Sequence, residues 1–446
     1  MLGLSARSIH GVKTRIAQPG ARTASAAMLH ADSAPPEELE RIRRERSAEL
    51  ARFAWDSTVF YRDRYSEAGI SRRDLDDPDT FDHLPVISKE ELRSRAGEFE
   101  VASVAERLRL PSSTGGSTGE PLRLLHDSRA PVAAMWWRVY RWWGIHPGDN
   151  RAVIQRERRS TRAQIAETVQ WWPTVQISLD ARQMTDATML DFARRWVSSR
   201  PALLNGYVGG VHEFASWVQQ TGTALPSPRA VGVTAAPITA SQRQHIEQVF
   251  SAPVYDQYRS AEVPWIAAEC QAHSGLHLLA DLRRIDILDE ADRPVPDGET
   301  GDVVATDFAN RVFPLVRYRL GDRSSLIGGL CPCGKTLPRL AAIEGRVSDV
   351  LRLPGGQAIS GGLTGLFNAR PDAVTQFQVH QLADYSIVLR CVLGGAPDAA
   401  DVVSRVAAQL SGIVRDEVSV TVEVVSVIPH DRGKARVIRS DLAVTA

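Results

Sequence analysis

Along most of this 446-residue chain, segments of helical period alternate with short runs of β-branched residues, and no other feature narrows its fold as much. Ala152-Val-Ile154, Ala230-Val-Gly-Val-Thr234 and Gly301-Asp-Val-Val-Ala-Thr306 have the length and make-up of strands. Glu37 to Phe53 sets dense charge against Leu39, Ile42, Leu50 and Phe53, the pattern of an amphipathic helix. Strand and helix in alternation predict a layered α/β domain. Asp281 to Leu288 reads as a strand, Asp289 to Gly298 as a turn-rich loop, and a further strand follows. Beyond Gly345 the texture changes. Glycines cluster at Gly355, Gly356, Gly361, Gly362 and Gly365. A strand (Ser386 to Val392), a helix (Ala399 to Leu410) and a strand (Val418 to Val427) then form a compact α+β tail, enough for a small domain. The expected organisation is a large domain over residues 36–345 and a small one over 346–446.

Residues 1–35 carry Arg7, Lys13, Arg15 and Arg22, many Ser and Ala, and no acid before Asp32. Such a stretch suits a transit peptide. The blander reading, and the one expected here, is a disordered lead-in with Met28 as an alternative start. The 53 basic and 53 acidic residues balance, which argues against a general nucleic-acid or membrane-surface binder. No apolar run is long enough for a spanning helix, so a cytoplasmic protein is expected. Four cysteines in a chain of this length make no disulfide framework.

Five segments bear chemistry. Ser112-Ser-Thr-Gly-Gly-Ser-Thr-Gly-Glu-Pro121 places five hydroxyl residues and three glycines in ten positions. Its backbone N–H groups and hydroxyls could surround phosphate oxygens, although no Lys-Ser/Thr pair follows as in a Walker A loop. The competing reading is a Ser/Gly linker, which the ordered Pro121 and apolar Leu122 to Leu125 weaken. Tyr255-Asp-Gln-Tyr-Arg-Ser-Ala-Glu262 offers an aromatic ring for a purine, a carboxylate for an exocyclic amine and another for magnesium. Read alone it is a surface strand end. Val316-Arg-Tyr-Arg-Leu-Gly-Asp322 puts an acid after a strand and glycine, where ribose hydroxyls could donate to it, or where an ordinary turn would do. Glu344-Gly-Arg-Val-Ser-Asp349 lies at the expected boundary, and Pro429-His-Asp-Arg-Gly-Lys434 is a turn with a lysine that is otherwise simply solvated.

In order and spacing these segments resemble the adenylate-forming superfamily of acyl-CoA synthetases, adenylation domains and luciferases. Within it the chain is most similar to the phenylacetate–CoA ligase group and its capsule-biosynthesis-type relatives, from about residue 40 to residue 440. Phe60-Tyr-Arg-Asp-Arg-Tyr-Ser-Glu-Ala-Gly69 and Leu84-Pro-Val-Ile-Ser-Lys89 add to the likeness. The resemblance implies a large layered α/β adenylation domain and a small mobile α+β C-terminal domain. It implies an enzyme that uses ATP and Mg2+ to convert a carboxylic acid to acyl-AMP, releasing pyrophosphate, and then transfers the acyl group to CoA.

Carried over by position, the resemblance gives Ser113, Thr114, Ser117 and Thr118 to the ATP phosphates, with Gly115, Gly116 and Gly119 freeing the backbone. Thr118, Glu262 and Lys434 would be catalytic, with magnesium on Glu262. Tyr258 would lie beside adenine, and Asp256 would read its amine. Ala235 and Ala236 would line the adenine, where many relatives carry Gly-Glu. Asp322 would bind the ribose and Arg346 the ribose or a phosphate. Ser348, or its neighbour Asp349, takes the hinge position, where an acid or lysine is usual. Tyr207, in Asn205-Gly-Tyr-Val-Gly-Gly210, matches the acid-pocket region.

Cys331-Pro-Cys333 and Cys270-Gln-Ala-His-Ser-Gly-Leu-His277 together offer three thiolates and an imidazole, the four-coordinate set of structural zinc. His277 is preferred to His273 because Leu276-His-Leu-Leu279 reads as a strand that would fix the ring. The competing reading is free cysteines packed as small hydrophobes, as is expected of Cys391. Six of the ten tryptophans fall between Trp136 and Trp172; core packing is the ordinary reading, and an aromatic wall for a planar acid the functional one. The basic run Arg156 to Arg159 reads as solvated surface, or as a partner for CoA phosphates.

Three functions compete. The first is an acid–CoA ligase for an aryl or other small acid. The second passes the acyl group to an amine or a carrier-protein thiol. The third is a zinc-stabilised binding protein without catalysis. A homodimer is left open as the assembly.

Overall fold

The computed structural model describes residues 6–17, 19–113, 122–155, 169, 171–346, 351–355, 358–359, 363, 366–367, 369–370, 372–414, 417–428 and 437–442. Five helices come first: α1 (Ala6–Ala17), α2 (Pro19–Ala31), α3 (Pro36–Ser57), α4 (Val59–Glu67) and α5 (Lys89–Ser94). A hairpin of β1 (Arg109–Ser113) and β2 (Arg123–Asp127) leads into α6 (Val132–Trp142). Strand and helix then alternate through β3 (Arg151–Gln155), β4 (Gln176–Asp180), α7 (Asp186–Ser199), β5 (Leu203–Tyr207), α8 (Val208–Thr221), β6 (Ala230–Thr234), α9 (Ala240–Phe250) and β7 (Val254–Tyr258). Short strands follow: β8 (Ala267–Glu269), β9 (Leu276–Leu278), β10 (Arg283–Leu288), β11 (Gly301–Asp307), β12 (Tyr318–Ser324), β13 (Leu326–Ile327) and β14 (Arg339–Leu340). The chain closes with β15 (Gly345–Arg346), β16 (Leu351–Arg352), β17 (Ala358–Ile359), β18 (Val374–Gln381), β19 (Ile387–Leu393), α10 (Ala399–Ile413), β20 (Val420–Val424) and β21 (Ile438–Ser440).

Local sequence explains many of these boundaries. α3 begins with proline in its first turn and carries Glu37 and Glu38 there, where negative charge suits the helix dipole. Thr58 ends α3 and caps α4, its hydroxyl accepting the Tyr61 amide. Ser88 with Glu91, and Thr239 with Gln242, close capping boxes on α5 and α9.

Two compact units result: residues 1–13, 143–256 and 344–446 make one, residues 14–142 and 257–343 the other. In the first, β4, β3, β5 and β6 run parallel in that spatial order, with Arg151 opposite both Gln176 and Leu203, and Leu203 opposite Ala230. β5 and β6 are almost wholly buried, as strands of a parallel sheet with both faces covered must be. Ile154, Phe192, Trp196, Phe214, Val231 and Phe250 build the core beside them. Where β5 turns into α8, glycine is required by close approach. A Cβ on Gly206 would lie 2.6 Å from the Ile154 carbonyl oxygen, and one on Gly210 would lie 2.8 Å from the Ile154 side chain. Later in the same unit β20, β19, β18 and β21 form a four-stranded sheet. Its core with α10 contains Val379, Leu389, Val402, Leu410 and Cys391, the last fully buried as the sequence suggests.

In the second unit β10, β11 and β12 are antiparallel neighbours. The β11–β12 ladder steps from Asp302 opposite Arg323 to Val304 opposite Arg319, so β12 carries extra residues there. Gly321, at φ +80°, takes the left-handed conformation within that bulge. Bulges of this kind re-aim a side chain, and the next residue is Asp322.

The first 35 residues, expected to be disordered, instead supply α1 and α2. Alanine-rich chain is good helix material, and Met28, Ala31 and Ala34 are buried. Asp32 then makes the decisive contact. One of its oxygens accepts from Arg138 Nε at 2.7 Å and the other from Trp142 Nε1 at 2.8 Å, while Arg138 Nη1 reaches Asp281 at 2.6 Å. Arg138 has no exposed surface, so two carboxylates hold a buried guanidinium. Among the described residues no helix is long and apolar enough to cross a membrane.

Candidate active site

In the second unit, β7 ends at Tyr258, whose backbone pairs with Ala267 of β8 and whose ring is buried. Its hydroxyl donates to Asp322 Oδ2 at 2.8 Å, joining two of the residues named for the nucleotide. The β12 bulge therefore aims Asp322 at a phenol 64 positions away in sequence.

Four residues beyond Tyr258, after a turn in which Ser260 Oγ accepts from the Val263 amide at 2.8 Å, comes Glu262. Its carboxylate is buried, with the Lys89 ammonium at 3.5 Å as its ion-pair partner among the described residues. No described residue hydrogen-bonds its oxygens. The peptide just before it is held by His126 of β2, whose Nε2 donates to the Ala261 carbonyl at 2.9 Å. Burial pushes the His126 pKa down, keeping the ring neutral. Neither Lys89 nor His126 received a role from sequence. The motif containing Lys89 was visible, but its partner lies 173 positions on.

In the first unit Tyr207 and Ala235 lie at the carboxyl ends of the parallel strands β5 and β6, where ligands of open α/β sheets bind. Tyr207 ends β5 and precedes the N-terminus of α8. Ala235 follows β6 with φ +76°, a left-handed conformation that a non-glycine residue rarely holds, and Ala236 is half-buried beside it. Asp256 is half-buried on β7. Tyr255, one position earlier, stacks flat on Trp143 with ring centroids 5.0 Å apart.

Cys270, His277, Cys331 and Cys333 lie in the second unit with their ligand atoms all within 4.8 Å of one another. His277 Nδ1 faces the Leu337 carbonyl at 3.2 Å, while Nε2 lies 3.3 Å from Cys333 Sγ. Burial lowers the His277 pKa to about 4, so the ring is neutral, the form in which imidazole binds metals. Burial likewise pushes the Cys270 thiol up to about 12. His273 points elsewhere, with Nδ1 3.4 Å from Glu269. Three sulfurs and one nitrogen with its second nitrogen already oriented are a donor set that fits zinc.

Thr114, Gly115, Gly116, Ser117, Thr118, Gly119, Ser348, Asp349 and Lys434 lie outside the described residues. Ser113 and Arg346 are described by backbone alone, in β1 and β15.

No protein-family model matches the chain. It is 22% identical over 378 residues to phenylacetate–coenzyme A ligase of Thermus thermophilus, a match covering 78% of this chain and 79% of that protein. It is 24% identical over 345 residues to phenylacetate–coenzyme A ligase of Escherichia coli, covering 73% and 75%. Among solved structures, 2-hydroxyisobutyryl-CoA ligase in the postadenylation state with R3-HIB-AMP matches at a TM-score of 0.75 and 20% identity, over 93% of this chain and 92% of that one. The chain is thus similar in sequence to phenylacetate–coenzyme A ligases and shares the α/β fold of 2-hydroxyisobutyryl-CoA ligase.

Proposed function

We propose that the protein is an AMP-forming acid–CoA ligase acting on an aryl or other small carboxylic acid. The observation that carries this reading is the Tyr258–Asp322 bond, with the buried, sparsely partnered Glu262 four residues along. The Tyr258–Glu262 segment thereby offers a ring and a hard oxygen ligand, and Asp322 of β12 a ribose acceptor.

In the first half-reaction a carboxylate oxygen attacks the α-phosphorus of ATP, and the bond to the bridging oxygen of the β-phosphate breaks. Acyl-AMP and pyrophosphate result. Both reactants are anionic, so catalysis is positioning plus charge neutralisation. Asp322, anchored by Tyr258, accepts from the ribose hydroxyls. Ser113, Thr114, Ser117 and Thr118 donate to the phosphates, and Lys434 of residues 346–446 stabilises the transferred group. Glu262 fits magnesium, which usually takes one or two carboxylates together with substrate phosphates and here would offset charge on the departing pyrophosphate. In the second half-reaction the CoA sulfur attacks the acyl carbonyl and AMP leaves. Because ATP and CoA are cytoplasmic metabolites, we place the reaction in the cytoplasm.

The test is pyrophosphate release across a panel of aryl, hydroxy and short-chain acids, with CoA, an amine or no acceptor. Acid-dependent release, with a thioester formed only when CoA is present, is the expected result. Product formed only with the amine would reassign the acceptor. No release with any acid would leave a binding protein and end the ligase reading.

The four-residue thiolate–imidazole set, in this reading, holds structural zinc and ties β9 and the end of β8 to the Cys331–Cys333 turn. Elemental analysis is expected to find about one zinc per chain, as a single four-ligand site requires. A metal-free preparation that melts at the same temperature as the metal-bound one would refute the assignment.

A further inference from the structure

We propose that Lys89 is the resident counter-ion of Glu262, a cation that this carboxylate exchanges for the divalent ion when a metal–nucleotide complex arrives. The inference rests on reading Glu262 as the magnesium ligand, and adds to that reading a residue and a means of entry.

The base of Lys89 is fixed. The Ile87 amide donates to the Arg317 carbonyl at 2.8 Å, and the Arg319 amide donates to the Ile87 carbonyl at 2.9 Å. These bonds bracket Tyr318, to which Ile87 forms a parallel bridge, so the segment is sewn to the start of the strand that carries Asp322. Ser88 then starts α5, its amide and hydroxyl both bonded to Glu91 at 2.8 Å.

The tip of Lys89 is not fixed. Its side chain is 41% exposed, whereas that of Glu262 is 7% exposed. At 3.5 Å the pair exceeds hydrogen-bond length, so the ammonium neutralises the carboxylate without engaging its lone pairs.

The position is also a poor one for a lysine on helical grounds. A cation in the first turn of a helix opposes its dipole. The acids nearby are committed elsewhere: Glu91 to Ser88 and Arg64, Glu90 to Arg93. A helix-capping account thus gives Lys89 no reason to be there, and Glu262 does. A buried carboxylate needs a counter-charge, and an ammonium on a flexible stem can supply one and then withdraw. The competing account is a static structural ion pair.

The two accounts differ in metal affinity. Mn2+ binding would be followed by electron paramagnetic resonance, with α,β-methylene-ATP present, for the wild type, Lys89→Met, Lys89→Arg, Glu262→Gln and the Lys89→Met/Glu262→Gln double variant. Removing the competing charge in Lys89→Met is expected to tighten Mn2+ binding about fivefold, the size of a partly exposed ion pair. Lys89→Arg, which keeps the charge, should bind as the wild type does and guards against a folding artefact. In the Glu262→Gln background the methionine substitution should have no effect. Unchanged or weaker binding in Lys89→Met, with Glu262→Gln strongly impaired, overturns the exchange and leaves Glu262 as the metal ligand. Wild-type binding in Glu262→Gln removes the underlying reading, and the exchange with it.

Discussion

Asp32→Ala is expected to destabilise the protein by about 3 kcal/mol, the lower end of the cost of breaking a buried ion pair. The substitution leaves Arg138, which has no exposed surface, with Asp281 alone, and removes the acceptor of Trp142 Nε1. The buried guanidinium loses one of its two carboxylates, so the desolvation already incurred is less fully offset. In a thermal melt this corresponds to a fall of about 3 °C if the whole chain melts together and about 7 °C if the second unit melts alone. Asp79 provides the control. It also pairs with an arginine, Arg44, but their side chains are 71% and 50% exposed, so Asp79→Ala should cost under about 1 kcal/mol. Equal losses in the two variants would show that the Asp32–Arg138–Asp281 cluster adds nothing beyond a surface pair.

The second large effect is on chemistry. Glu262→Gln keeps size and shape and deletes one negative charge. Acid-dependent pyrophosphate release should fall by about 10²- to 10³-fold, the range seen when one preorganised electrostatic group is removed. The loss should lie mainly in kcat, because the charge is needed where phosphoryl charge develops and not where the acid binds. Folding should be little affected: glutamine can accept a hydrogen bond from Lys89, and His126 still grips the preceding carbonyl. A tenfold rise in the KM for the acid with kcat unchanged would move Glu262 from the phosphoryl chemistry to acid binding.

The strands β3, β6 and β11 were legible because each is a compact β-branched run bounded by polar or turn-forming residues. α3 and α10 were legible from their periodicity. The cysteine–histidine set was legible too, since residue types and a strand around His277 sufficed to name it. Other features depend on pairing, which local pattern does not encode. Tyr255 to Glu262 reads alone as a surface strand end, yet Tyr258 is buried, its backbone paired with β8 and its hydroxyl bonded to Asp322 of β12. Gly321 reads as a plain turn, and only the β11–β12 register reveals the bulge that aims Asp322. The opening helices escaped notice because their buried stripe is alanine and methionine, and because the partner of Asp32 lies 106 positions away. Lys89 stood in a recognisable motif without a stated purpose, since an ion pair across 173 positions leaves no local trace.

The tight junction between β5 and α8 sets a practical rule for anyone testing, by directed evolution, whether the residues around Tyr207 choose the acid. With the Ile154 carbonyl 2.6 Å from where a Gly206 methyl would sit, that site cannot be diversified without moving the backbone, and a methyl on Gly210, 2.8 Å from the Ile154 side chain, would have to displace that side chain. Randomised codons are better spent on Tyr207, which lies between these two constrained glycines and is half-buried, so that its side chain can be exchanged while the frame around it stays put.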